Sequence, residues 1–164
     1  MSPHIQIRIE TADFDVGAEI NALYRRTAGS VGAVATFIGL VRDHSGAQAQ
    51  GEQVTGLYLE HYPGMTEASI RRIIDQACDR WPLSDVLVIH RVGLLAPCAQ
   101  IVYVQAASTH RAAAFAGAEF LMDYLKTEAV FWKREEQGNH AHWVESTATD
   151  RQRRDHWQSD GSGR

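Results

Sequence analysis

"DVLVIHRVGLLAPCAQIVYVQAAS", residues 85 to 108, holds two apolar, β-branched runs joined by a short connection. The runs at 85–93 and 99–108 read as strands, and the brevity of "LLAPC" between them fits a mixed, mainly antiparallel sheet. Upstream, Ile70, Ile73, Ile74, Ala77 and Trp81 recur at helical spacing, and Pro82 ends that helix. Downstream, an Ala-rich segment from Thr109 to Lys126 sets Phe115, Leu121, Met122 and Leu125 on one broad helical face. Its first residues, Ser108-Thr109-His110-Arg111, place hydroxyl caps and two cation-capable side chains at a helix N-terminus, where the free amides and dipole favour anions.

The amino-terminal half extends the pattern. Ile5, Ile7 and Ile9 alternate with polar residues as a half-buried strand, and Asp15 can cap a helix with an apolar stripe of Val16, Ile20, Leu23 and Tyr24. "GAVATFIGLVR", 32–42, is apolar until Arg42 and predicts a strand buried on both faces. "DHSGAQAQGEQ", 43–53, predicts a mobile loop, and 54–62 a further strand. After Glu135 comes a short strand-like "WVES", and the polar segment 148–164 predicts a disordered tail behind a single domain at 1–147. The order β-α-β-β-α-β-β-α with a terminal strand specifies an α+β fold with helices packed on the sheet.

Composition narrows the functional classes. The 164 residues suit one domain, and a net charge of −4 with a pI near 6.0 argues against a general nucleic-acid binder. No run has the length of a membrane span, and the start is not of the signal-peptide type, so a cytoplasmic protein is expected. Cys78 and Cys98 lack metal-ligand spacing and read as free, mostly buried thiols, and the eight histidines form no metal motif. Of the 16 basic residues only Lys126 and Lys133 are lysine. An amine can lose its proton when desolvated or crowded by cations; a guanidinium cannot. Arg42, His90-Arg91, His110-Arg111 and the segment Lys126–Arg134 all stand at element ends, where together they would form a focused anion site. Phosphate is the obvious anion, with Phe131 and Trp132 available to stack on a planar ring.

The stretches "GAVATFIGLVRDHS", "LYLEHYPGMTE", "RWPLSDVLVIHRVGLL", "STHRAAAFAGAEFLMDYLKTEAVFWKRE" and "WVES" occur in this order. Over residues 30 to 147 the chain thereby resembles the large, catalytic subunits of molybdopterin synthase. The resemblance implies an α/β hammerhead-type fold and a homodimer within a heterotetramer. A small ubiquitin-like sulfur-carrier subunit binds at each end. Its C-terminal thiocarboxylate supplies two sulfurs to cyclic pyranopterin monophosphate, forming the molybdopterin dithiolene with no metal or other cofactor. By position, Lys126 and Lys133 match the lysines of the family's K-T-x-x-P-x-W-K motif at the reacting centre, with Lys126 as acid or base and Lys133 holding an anion. Arg134 and Glu135 continue the substrate-contacting stretch, and Leu40, Val41 and Arg42 match a substrate-lining segment. His110 and Arg111 match an anion-binding pair reached across the dimer interface. Val130 stands where the family commonly has Pro, which leaves the rigidity of the segment between the lysines open. Leu40 replaces a Lys of some members. Two rival readings use the same residues: a phosphoesterase that needs no carrier, and a binding module without turnover.

Overall fold

The computed structural model describes residues 2–44, 53–138 and 140–159. Its first sheet has the order β1-β4-β6-β2, from β1 (His4–Glu10), β4 (Leu83–Arg91), β6 (Gln100–Ser108) and β2 (Ala33–Leu40). β1 runs parallel to β4, and the other pairs are antiparallel. The second sheet, β5-β3-β7-β8, is antiparallel throughout and comprises β3 (Gly56–His61), β5 (Gly93–Leu95), β7 (Phe131–Gln137) and β8 (His140–Val144). The α+β expectation holds, and the run 85–93 is divided between the two sheets. Gly93, with φ at 90°, takes a backbone conformation that side chains disfavour and lets the chain step from β4 into β5.

β4 and β6 are central because both of their faces are covered. Val86, Val88, Val102, Val104 and Ala106 pack under α2 (Met65–Arg80) and α3 (Arg111–Leu125), against Ile70, Ile74, Phe120 and Leu121. Leu87, Ile89 and Tyr103 face the other way and pack with Phe14 and Val16 at the start of α1 (Val16–Thr27). Asp15 caps α1 by accepting from the Ala18 amide at 3.0 Å, and Arg26 ties the helix to buried Asp85 with bonds of 2.7 and 3.0 Å.

Three expectations need correction. β2 is an edge strand, not one buried on both faces: Phe37, Ile38 and Leu40 are 40%, 39% and 53% exposed. An apolar run reports that a surface needs cover, not whether the same chain supplies it. The polar segment after Thr147 is not a disordered tail over its described part but a helix, α4 (Ala148–Ser159), docked on α3. Its 160–164 portion, like 45–52 of the expected loop, lies outside the described residues. Cys98 is exposed in a left-handed turn with φ at 68°, whereas Cys78 is partly buried.

Candidate active site

α3 carries the candidate residues at its two ends. His110 is its N-cap in extended conformation, with no capping bond from its ring, and both His110 and Arg111 are exposed. Lys126 is the C-cap, its amide donating to the Met122 carbonyl at 3.1 Å. Fifteen residues at 1.5 Å rise separate the two ends by roughly 22 Å. Within one chain His110-Arg111 therefore does not meet the lysines.

The lysine end is assembled from four elements. Lys126 projects from α3 with its side chain half exposed, its Nζ 3.6 Å from Asp150 Oδ1 on α4. Lys133 lies in β7, between Leu59 of β3 and Val144 of β8. Strand alternation puts it on the face shared by Leu59, His61, Phe131 and Glu135, where Leu59 is fully buried. Burial, and then the charge of Lys126, holds the Lys133 amine below the usual lysine range, with Asp150 opposing. The depressed pKa thus belongs to Lys133, the lysine that the sequence reading had assigned to holding an anion.

His90, at the end of β4, stacks on Phe131 with centroids 3.9 Å apart, and its Nδ1–H donates to the Arg91 carbonyl at 2.9 Å. Burial lowers its pKa to about 3; the hydrogen bond opposes this, and Lys133 and His61 add to it. His90 is a neutral wall beside the lysines.

The segment between the lysines is fixed without proline. The Val130 amide, which a Pro would lack, donates to Ser69 Oγ at 3.2 Å, and Thr66 Oγ1 donates to the Val130 carbonyl at 2.6 Å. Both partners are buried residues of α2. Val130 therefore supplies by hydrogen bonding the restraint that a fixed φ would give.

The other candidates divide. Arg42 is exposed and follows Val41, which is a core residue packed with Leu59, Val92 and Leu95 and not a lining one. Val41 exchanges backbone bonds with the Cys98 turn, 2.9 Å to the Ala99 carbonyl and 2.8 Å from the Cys98 amide, which anchors Arg42 at the lysine end of the sheet. Leu40 is exposed on the edge strand. Arg134 turns to the opposite face of β7 from Lys133, its guanidinium over the Tyr58 ring at 4.9 Å and its Nε on Glu136 at 2.8 Å. Glu135 shares the Lys133 face and is partly buried.

Asp150 was missed, because it lies in the segment read as a tail. A signal for it exists: Thr147-x-x-Asp150 is a reciprocal cap, each side chain accepting from the other's amide at 3.1 Å. Beside it, a groove of about 430 Å³ runs between β2, α3 and α4. Ala35, Phe37, Phe115 and Met122 make much of its lining apolar, and Lys126 and Asp150 line it beside the ion pairs of Arg153 with Glu119 and Asp123. Such a site can admit an extended, uncharged chain and meet an anionic terminus with an ammonium.

Residues 9–128 match the model of the MoaE protein family. The chain belongs to the MoaE family. A molybdopterin synthase catalytic subunit from Ralstonia nicotianae is 53% identical over 92% of this chain and 83% of that one. The solved MoaE-family structure from Burkholderia multivorans, a molybdopterin cofactor biosynthesis protein E, is 44% identical with a TM-score of 0.77, covering 94% of this chain and 97% of that one. A Helicobacter pylori structure of a complex of subunits 1 and 2 of molybdopterin-converting factor shares the MoaE fold at 17% identity and a TM-score of 0.68, over 84% of this chain and 89% of that one.

Proposed function

We propose that the lysine end of α3 is the reacting centre for transferring two sulfurs to cyclic pyranopterin monophosphate, the donor being the thiocarboxylated C-terminus of a small ubiquitin-like carrier. Family membership sets the general activity: this is an enzyme of sulfur transfer in molybdenum cofactor biosynthesis, the catalytic subunit of a molybdopterin synthase. The observation that supports the finer reading is that of the chain's only two lysines one, Lys126, lines a largely apolar groove and the other, Lys133, is buried close enough to feel its charge.

The groove suits a small-residue carrier tail threaded between Phe37 and Met122, its thiocarboxylate arriving at Lys126. The first sulfur forms its carbon–sulfur bond as the cyclic phosphate opens, and the second, from another thiocarboxylate, replaces the oxygen on the neighbouring carbon, which leaves as water. Water then releases the spent carrier as a carboxylate. Protons are needed at the leaving oxygen and must be taken up from the attacking water. Lys126 stands where it can touch the carrier terminus, and Lys133, with its lowered pKa, can exchange a proton nearer neutral pH. Arg42 at the same end can hold the substrate phosphate. The sulfur comes from the partner protein, and the reading invokes no metal or other cofactor.

A second copy of the chain completes the site in this reading. Pairing two β2 edges antiparallel about a twofold axis sets the start of one strand against the end of the other. His110 lies just beyond the Ala33 end of β2, since the Gly32 amide bonds to the Ser108 carbonyl at 3.0 Å. The partner's His110 and the partner's Arg111 would then approach the lysine end. The same pairing would cover Phe37 and Ile38. None of the described helices is long and apolar enough to cross a membrane, and we place the reaction in the cytoplasm, where the unpaired Cys78 and Cys98 fit.

The test is single-turnover product formation with the pterin substrate and a thiocarboxylated carrier. The wild type should form dithiolene, and Lys126→Ala should lose at least about a hundredfold in rate while still binding the carrier. A wild type that binds the carrier and yields no product would support the binding-module reading. Phosphate opening without carrier would support the phosphoesterase.

A further inference from the structure

We infer that Asp150 is a positioning residue of the active site, the carboxylate that accompanies both lysines, delivered by a helix whose N-terminus is built for that purpose. The inference deepens the proposed function and rests on the lysines being its reacting centre. Asp150 Oδ1 lies 3.6 Å from Lys126 Nζ, and its side chain is only 19% exposed. Lys126 of α3 and Arg153 of α4 line the same groove, Asp123 and Glu119 of α3 line it paired with Arg153, and Lys133 of β7 lies near enough to feel the Asp150 charge.

Asp123 and Glu119 are taken up by Arg153, whereas Asp150 is the acid paired with Lys126, and it is held in place twice. Thr147 and Asp150 cap each other's amides at 3.1 Å, which fixes the carboxylate on the first turn of α4. α4 is in turn clamped on α3 by Arg153 to Asp123 at 2.9 Å and by Trp157 Nε1 to Asp123 at 2.8 Å. Burial pushes the Asp150 carboxyl up, but the Thr147 bonds and the charge of Lys126 outweigh it, leaving it below the ordinary range and ionised. An ionised carboxylate there steers the Lys126 ammonium toward the groove. It also opposes the desolvation that depresses the Lys133 amine.

Because the chain has only two lysines, lysine labelled with carbon-13 at Cε gives two resonances, and each amine titrates separately. In Asp150→Asn the side-chain oxygen can still accept from the Thr147 amide, so the cap survives while the charge is lost. The Lys133 resonance should then titrate lower by roughly half a unit to one unit, and the single-turnover pH–rate profile should move the same way. Thr147→Ala loosens the same cap but keeps the carboxylate charge, and should move the Lys133 titration less than Asp150→Asn does. Unmoved titration in Asp150→Asn, or an equal shift in Thr147→Ala, would reduce Asp150 to a helix cap and overturn the inference alone. Wild-type turnover by Lys126→Ala would overturn the functional reading and with it the part of Asp150 in turnover.

Discussion

Burial of the His90 ring against Phe131 removes the water that would solvate an imidazolium, and its pKa falls to about 3. In the unfolded chain the same ring titrates near 6.5. A folded pKa below the unfolded one means stability that is complete above about pH 6.5 and is lost as the pH falls toward 3, because the unfolded state takes the proton first. Between pH 7 and pH 5 this single group should cost about 2 kcal/mol. Urea unfolding at the two pH values should show that loss in the wild type and a loss smaller by that amount in His90→Gln; equal losses would contradict the burial argument. The sequence shows His90 interrupting an apolar strand and Lys126 and Lys133 as the only amines, but not which groups are dry. That depends on cross-strand partners such as Leu59 beside Lys133, and a sequence read one element at a time carries no register.

Among the elements, those with strong periodicity or dense apolar content were legible, and α4 was not. Its sequence, ATDRQRRDHWQS, offers one large apolar side chain, and composition alone assigns such a stretch to solvent. The helix forms because Thr147 and Asp150 cap it and because its partners on α3 are complementary. Arg153 meets Glu119 and Asp123, and Trp157 packs edge-on against Trp81 and Phe120 with centroids 5.4 and 5.7 Å apart. Trp157→Ala removes that packing and the Nε1 bond to nearly buried Asp123. It should destabilise the chain by about 2–4 kcal/mol and reduce the helical signal by an amount consistent with fraying of α4. Circular dichroism and a urea titration check both, and an unchanged midpoint would mean that α4 contributes nothing to the fold. β2 was misread in the opposite direction, its apolar run being correct and its outer residues left exposed by the described part of the chain.

At the scale of the whole molecule the second sheet crosses the ends of β2, β4 and β6, so that Arg42, His90, Lys126 and Lys133 gather there while His110 and Arg111 remain at the far end of α3. The family resemblance expects His110 and Arg111 to reach that site across a dimer interface, and within a single chain they stand apart from the lysines. The proposed second copy reconciles the two, since each reacting centre would draw its lysines from one protomer and its His110-Arg111 pair from the partner. Lys126→Ala and Arg111→Ala chains, each inactive alone, decide the matter when unfolded together, refolded and assayed in single turnover. A mixed dimer carries one doubly damaged centre and one intact centre, so about a quarter of the wild-type product per site should return. Mixed dimers that form, as shown by co-purification of two tags, yet recover no activity would contradict a shared site, as would an Arg111→Ala chain that is fully active by itself.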